Sequence, residues 1–283
     1  MGGGISRRVA MTFIWWIVGV VGALVALKLI IVWAEPYMSF VPRKGATPAP
    51  PGFESIAFNA SDGARLTGWM THIPPDGPVF LYFCGNAGNL EDRDELMVRC
   101  ATSGLAVVAF NYRGTGESEG RATESAVHRD AIEIYEYVVS ELRVDPGRIV
   151  YWGHSIGGAV ATELGCSRPP AGIVLEGTFR SGLAMAKRML PFLPVAWFMS
   201  YKFDNEANLA RLRCPVLLVH GSHDFTIPSA DSEFLDQVAG GRSEIWIVQG
   251  ADHNDIYEVA GPEFFSRLHQ FGQRVTSAAP GFE

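Results

Sequence analysis

A buried strand that runs through G-x-S-x-G straight into a helical pattern constrains this chain more than any other feature. The stretch is Ile149-Val150-Tyr151-Trp152-Gly153-His154-Ser155-Ile156-Gly157-Gly158-Ala159-Val160. A serine at such a turn is forced into a strained, exposed position, and the glycines beside it let strand and helix approach closely. The helix that begins there points the positive end of its dipole at any negative charge developing on the turn. Strand, sharp turn and helix in direct succession are the parts of a parallel sheet with crossover helices.

The rest of the chain supplies that sheet. Apolar runs at residues 79–83, 105–110, 148–152 and 173–175 show no alternation, which marks strands buried on both faces. Ahead of them, residues 53–58 and 65–70 flank Ser61-Asp62-Gly63, a turn signal, so an antiparallel hairpin opens the sheet. Two further strands, 215–220 and 244–248, bracket a helix over 229–238, and a last helix covers 262–274. Ala126, Ile132, Tyr135, Val138 and Val139 give residues 122–142 one apolar stripe. The expectation is an α/β fold with a mostly parallel, twisted eight-stranded sheet, helices on both faces and right-handed crossovers.

Composition removes several function classes. With 283 residues, 48% hydrophobic and 19% charged, the chain can bury a large core and lacks the signature of disorder. A formal net charge of -7 without any lysine or arginine run excludes nucleic acid as an expected partner. Cys84, Cys100, Cys166 and Cys214 are widely spaced and form no zinc pattern, so all four read as buried small hydrophobes. Two disulfides stay open if the domain faces an oxidising compartment. No metal or cofactor is expected.

Residues 11–33 carry a single charge, Lys28, and as a helix would span roughly 33 Å, enough to cross a hydrocarbon core. Arg7 and Arg8 precede the segment, which favours a cytoplasmic amino end and puts the following domain on the non-cytoplasmic side. A cleaved signal peptide competes, with Val32-Trp33-Ala34 as cleavage site, although the apolar region is long for one. A twin-arginine signal at Ser6-Arg7-Arg8 matches weakly, and the Met1-Gly2 pattern for myristoylation duplicates what a spanning helix does. Pro36, Pro42, Pro48, Pro50 and Pro51 then predict that the helix ends and a semi-rigid tether follows. The expected organisation is an N-terminal segment over 1–34, a tether over 35–52 and a catalytic domain over 53–283, with a short cap at about 178–213.

A serine hydroxyl is a poor nucleophile near neutral pH and needs a base within hydrogen-bond reach, which in turn needs a carboxylate to hold its tautomer. On strand–turn–helix scaffolds of this kind the acid and then the histidine follow the serine. Of the histidines after Ser155, His253 lies in a polar loop after the last strand, whereas His220 ends a buried strand, His223 adjoins the candidate acid and His269 falls in the final helix. His253 is therefore the expected base. Asp224, in the loop after strand 215–220, is the expected acid, with Asp231, Asp252 and Asp255 as alternatives. An oxyanion would take one backbone N–H from Ile156 and a second from the loop Cys84-Gly85-Asn86-Ala87-Gly88-Asn89, assigned to Asn86.

Together these residues resemble a known family. Tyr82 to Asn89, then Asn111-Tyr112-Arg113-Gly114-Thr115-Gly116-Glu117-Ser118-Glu119-Gly120, the G-x-S-x-G turn, Gly221-Ser222-His223-Asp224 and Asp252-His253 are similar in kind and order to the Bem46-like α/β hydrolases, among them the membrane-anchored ABHD13- and ABHD17-like serine hydrolases. The resemblance covers the chain from Phe53 to the last helix and implies an α/β-hydrolase fold with Ser155, Asp224 and His253 as catalytic triad. Cys84 stands where that family carries a histidine that buttresses the oxyanion loop. Arg113 and Glu117 read as loop scaffold. In the cap, Leu183, Met185, Met189, Leu190, Phe192, Leu193, Val195, Trp197, Phe198 and Met199 either line an acyl pocket, dip into the membrane beside Lys187 and Arg188, or pack on the core. The function expected is hydrolysis of an ester or thioester of an apolar acyl group, a small molecule or lipid, through an acyl-enzyme. A serine peptidase and a non-catalytic membrane-bound interaction module are the rival readings.

Overall fold

The computed structural model describes residues 3–45, 48–86 and 90–277. Strands β1 (Phe53–Asn59), β2 (Arg65–Thr71), β3 (Val79–Phe83), β4 (Ala106–Phe110), β5 (Ile149–His154), β6 (Gly172–Glu176), β7 (Val216–Gly221) and β8 (Ser243–Val248) form one sheet in the order β1-β2-β4-β3-β5-β6-β7-β8. The hairpin β1–β2 turns at the expected Ser61-Asp62-Gly63, and β2 also meets β4 antiparallel; every later pair is parallel. The uninterrupted apolar runs explain this, because β3 to β7 are buried along their whole lengths and need cover on both faces.

The cover comes from α2 (Asp94–Thr102), α3 (Glu124–Ser140), α4 (Ile156–Ser167), α6 (Asn205–Arg211), α7 (Ala230–Ala239), α8 (Ile256–Ala260) and α9 (Pro262–Ser277). Successive residues of β5 point to opposite layers: Tyr151 meets Tyr135 of α3, and Trp152 meets Phe264 of α9. Between β6 and β7 the cap holds α5 (Gly182–Met189) and a single 3-10 turn, Val195–Trp197, ahead of α6. Because β3, β5, β6, β7 and β8 all run the same way, the loops after their C-terminal ends gather along one edge of the sheet.

Helix α1 (Gly3–Ser39) stands apart from the sheet, and its residues from Val9 to Ile30 are exposed. Among the described residues it is the one helix long and apolar enough to cross a membrane. It does not stop before Pro36 as the proline count predicts; the helix runs through Pro36 to Ser39. Proline's fixed φ suits a helix and costs one hydrogen bond, and Phe40 N–H to Pro36 C=O closes the turn. The cysteines also need correction: all are free thiols, but only Cys84 and Cys100 are buried, while Cys166 and Cys214 are half-buried.

Arg113 acts as the scaffold its turn suggested. Its guanidinium forks onto Asp130 of α3, with Nε to Oδ2 at 2.6 Å, and its Nη1 reaches Asp62 of the first hairpin turn at 2.6 Å. Arg113→Ala would strand the buried Asp130 carboxylate, a loss of about 3–5 kcal/mol. We expect the thermal midpoint to fall by about 10 °C, with less loss in Arg113→Lys; a midpoint unchanged in the alanine variant would show the pair to be dispensable.

Candidate active site

Ser155 sits between β5 and α4 with φ 55° and ψ −121°, a left-handed conformation that costs a non-glycine residue free energy unless its surroundings impose it. Three contacts do so. Ser155 N–H donates to Glu176 C=O at 2.8 Å, and Ser155 C=O accepts from Thr178 Oγ1 at 2.7 Å and from Gly158 N–H at 3.0 Å. The glycines make room: a Cβ on Gly157 would overlap the carbonyl oxygens of Phe83 and Cys84, and one on Gly153 would overlap the backbone of Gly157.

The loops after β7 and β8 bring Asp224 and His253 to this turn. His253 Nε2 lies 3.1 Å from Ser155 Oγ, and His253 Nδ1 lies 2.7 Å from Asp224 Oδ2. Asp224 accepts Nδ1–H, which leaves Nε2 to accept the hydroxyl proton of Ser155. Asp224 Oδ1 takes two backbone N–H groups, Thr226 at 2.9 Å and Ile227 at 2.7 Å. The alternative acids are engaged elsewhere: Asp231 Oδ1 accepts from Arg188, Asp252 Oδ1 from the N–H of His253, and Asp255 Oδ1 from the N–H of Asp252. His269 is bonded to Gln273 on α9, and His223 is exposed.

The residues assigned to oxyanion binding flank the serine. Ile156 opens α4, where a first-turn N–H has no acceptor within the helix. Asn86 follows β3, whose end pairs in register with β5 at Phe83↔Gly153. A Cβ on the intervening Gly85 would meet Ser155 Cβ at 3.3 Å, so this loop runs directly over the serine. Ala87, Gly88 and Asn89 of the same loop lie outside the described residues.

The family profile described as "Serine aminopeptidase, S33" matches residues 78–205, which includes Ser155. The Mycobacterium tuberculosis protein Rv2307c is 31% identical over 262 residues, covering 90% of this chain and 93% of that one. The Arabidopsis thaliana alpha/beta hydrolase domain-containing protein WAV2 is 33% identical over 212 residues, 68% of each chain. The chain belongs to the α/β hydrolases. The Pyrococcus furiosus esterase Pf2001 shares the hydrolase's fold, with a TM-score of 0.67 at 18% identity over 83% of this chain and 99% of that one.

Several groups around the hydrolase's serine had no local signal in the sequence. His220, which reads as a structural strand end, places Nε2 2.8 Å from Ile227 C=O and 3.1 Å from Asp224 Oδ2. Both neighbours are acceptors, so Nε2 carries the proton, and Nδ1 accepts from Ser232 Oγ at 2.7 Å. Burial opposes charge on Asp224, yet hydrogen bonds from His220, His253 and Ile227 outweigh it and hold its carboxyl well below the usual range. His154, the variable residue before Ser155, is buried; its Nε2 lies 3.1 Å from His253 C=O and its Nδ1 3.3 Å from Arg93 Nη2. Burial and the neighbouring Arg93 push its pKa well below the ordinary value, which keeps it neutral. Arg93 also donates to Asn254 Oδ1 at 2.9 Å, which ties the 3-10 turn Leu90–Arg93 to the loop that carries His253.

A cavity of about 880 Å³ among the described residues is lined by Pro146, Gly165, Ala171, Leu212 and Pro215 among others. Those residues precede β5, β6 and β7 or end α4, so the cavity opens at the opposite edge of the sheet from Ser155 and takes no part in its chemistry.

Asp224 sets an acid limit on stability. Folding lowers its pKa, so it stabilises the fold above the unfolded value near about 4, and that contribution is lost as pH falls through this value toward the folded one. Unfolding followed by circular dichroism from neutral to acid pH should show Asp224→Asn less sensitive to acid than the parent; parallel curves would contradict it.

Proposed function

We propose that this hydrolase is a serine esterase or thioesterase that cleaves an apolar acyl substrate through an acyl-enzyme on Ser155. The observation that carries the reading is the unbroken hydrogen-bonded row from Ser155 Oγ through His253 to the Asp224 carboxylate. Ser155 Oγ attacks the acyl carbonyl while His253 Nε2 takes its proton, and the carbonyl π electrons move onto oxygen between the N–H groups of Ile156 and Asn86. The tetrahedral species then expels the alcohol or thiol, which takes the proton back from His253. Water, deprotonated by the same nitrogen, attacks the acyl-enzyme and releases the acid, regenerating Ser155. Asp224 stays ionised throughout and stabilises the imidazolium each time it forms.

The preference for an apolar acyl group is supported by exposed apolar side chains beside Asp224 and in the cap. Phe225, next to Asp224, is 89% exposed, and the cap presents Met189, Leu190, Leu193, Trp197 and Phe192, the last 97% exposed. Val195 and Phe198 instead turn inward. The exposed residues suit a lipid phase more than water, and α1 supports a single-pass membrane anchor, with Arg7 and Arg8 favouring a catalytic domain on the non-cytoplasmic side. The match to an aminopeptidase profile favours peptide hydrolysis as the second reading. An aminopeptidase must hold a protonated amine beside the scissile bond; Asp224 and Glu176 are both buried, Glu176 bonded to Trp152 Nε1 at 2.8 Å, so that reading would need the exposed Asp252 beside His253 to hold it.

The test is labelling by a fluorophosphonate together with turnover of a p-nitrophenyl ester series and of aminoacyl p-nitroanilides. Ser155→Ala should abolish labelling and lower kcat by about 10⁴-fold or more, and Asp224→Asn by about 10³–10⁴-fold. Turnover should favour medium or long acyl chains, and Phe225→Ser should shift that optimum toward shorter ones. Anilide cleavage without ester cleavage would transfer the assignment to the peptidase, and a parent that neither labels nor turns over would sink both.

A further inference from the structure

We propose that the segment leaving the anchor helix, residues 35–44, is a positioning element of the active site that holds the oxyanion loop and the cap in register. The inference rests on the Ser155 chemistry proposed above and adds to it a part of the chain that reads as a passive tether.

The segment grips both sides of the site. On the cap side, the Glu35 side chain, in a residue only 5% exposed, accepts hydrogen bonds from Ser200 N–H at 2.5 Å, Ser200 Oγ and Tyr201 N–H at 3.2 Å. On the other side, Asn86 Nδ2 donates to Met38 C=O at 3.2 Å, and Val41 N–H donates to Asn86 C=O at 3.3 Å. Asn86 is therefore held through its side chain and its carbonyl by the last turn of α1 and the residues after it. Neither bond uses the Asn86 N–H, the donor assigned above to the oxyanion.

Phe40 fixes the segment between these ends. It is 3% exposed and packs edge-on against Tyr112 and Phe203, with ring centroids 5.5 Å and 5.9 Å away. Tyr112 in turn donates its hydroxyl to Cys84 C=O at 2.9 Å, at the start of the oxyanion loop. Further along, Gly116 N–H donates to Arg43 C=O at 2.8 Å, and Lys44 bridges to Gly116. The loop 84–86 is thus braced from Tyr112 and from Met38 and Val41, where the resembling family uses a histidine in place of Cys84. Donor placement matters because an oxyanion hole works through preorganisation: losing one donor costs about 10²–10³ in kcat, and a donor displaced by about an ångström costs a substantial part of that.

The experiment uses the full chain in lipid nanodiscs with a soluble short-chain ester and a trifluoromethyl ketone, whose serine adduct places an oxyanion between Ile156 and Asn86. Phe40→Ala and Asn86→Ala, the latter keeping the backbone donor, should each lower kcat about tenfold with KM within twofold. Both should weaken the ketone by the same factor and speed amide exchange at residues 84–86. Trp16→Leu, within the membrane segment, should change none of these. The inference is overturned if kcat and ketone affinity in both variants stay within twofold of the parent, or if activity falls only in step with the thermal midpoint while ketone affinity holds. An inactive parent would remove the hydrolytic reading instead, and amide exchange would still judge the brace: unchanged exchange in Phe40→Ala overturns it.

Discussion

The closeness of α4 to the ends of β3 and β5 is the constraint from which the site follows. With glycine at 153 and 157, the helix starts against the carbonyls of Phe83 and Cys84, and the chain must reverse at Ser155 within one residue. That reversal is what drives φ positive, and the bonds from Ser155 to Glu176, Thr178 and Gly158 hold it there. The same approach brings the segment after β3 over the serine, so the packing that strains the proposed nucleophile also delivers the proposed oxyanion donor. One steric arrangement therefore sets two functional groups, and neither can be moved without the other.

Around that turn, protons are fixed by acceptors rather than by charge. Asp224 is buried, and burial alone would favour its neutral form; four donors, from two imidazoles and two backbone N–H groups, reverse the balance. The two imidazoles differ in what else they touch. His220 is bonded on both nitrogens within the protein and is committed to one tautomer, whereas His253 keeps one nitrogen toward Ser155. His154, kept neutral by burial, supports the histidine loop from behind and carries it to Arg93. An ionised carboxylate bracketed by two imidazole N–H donors suits the proposed base, which must gain and lose a proton without the surrounding charges rearranging.

The strands were legible because each is a short apolar run between turn residues, and the Ser155, Asp224 and His253 loops because each follows the C-terminal end of such a run. Helix α2 and the short α8 were not singled out: α2 mixes Asp94, Glu95 and Arg99 with only a few buried apolar positions, and α8 spans five residues. His220 and His154 were visible as residues but not as partners, since nothing local tells a strand-end imidazole that an aspartate four residues on will fold back to it. Arg93 bonding Asn254 across 161 residues of sequence lies wholly beyond local pattern. The cap's composition could not separate inward from outward residues either, because over so short and irregular a segment no period distinguishes Val195 and Phe198 from Phe192 and Trp197.

The stretch at and after the end of α1 shows most clearly where composition misleads. Prolines at 36, 42, 48, 50 and 51 argue for an extended spacer, and an isolated chain of that composition would be one. Proline, however, sets φ without setting what the neighbouring side chains contact, and here Glu35 and Phe40 bury themselves in the domain. A buried carboxylate left without donors would be costly, so Glu35 commits the helix end to the Ser200 turn, and Phe40 commits the next residues to Tyr112. Once both ends are pinned, the stiffness that proline confers works as a brace, because a segment already restricted in φ loses less entropy on docking than a flexible one. A glycine-rich spacer of equal length would span the same gap but would leave the Asn86 loop to find its own position.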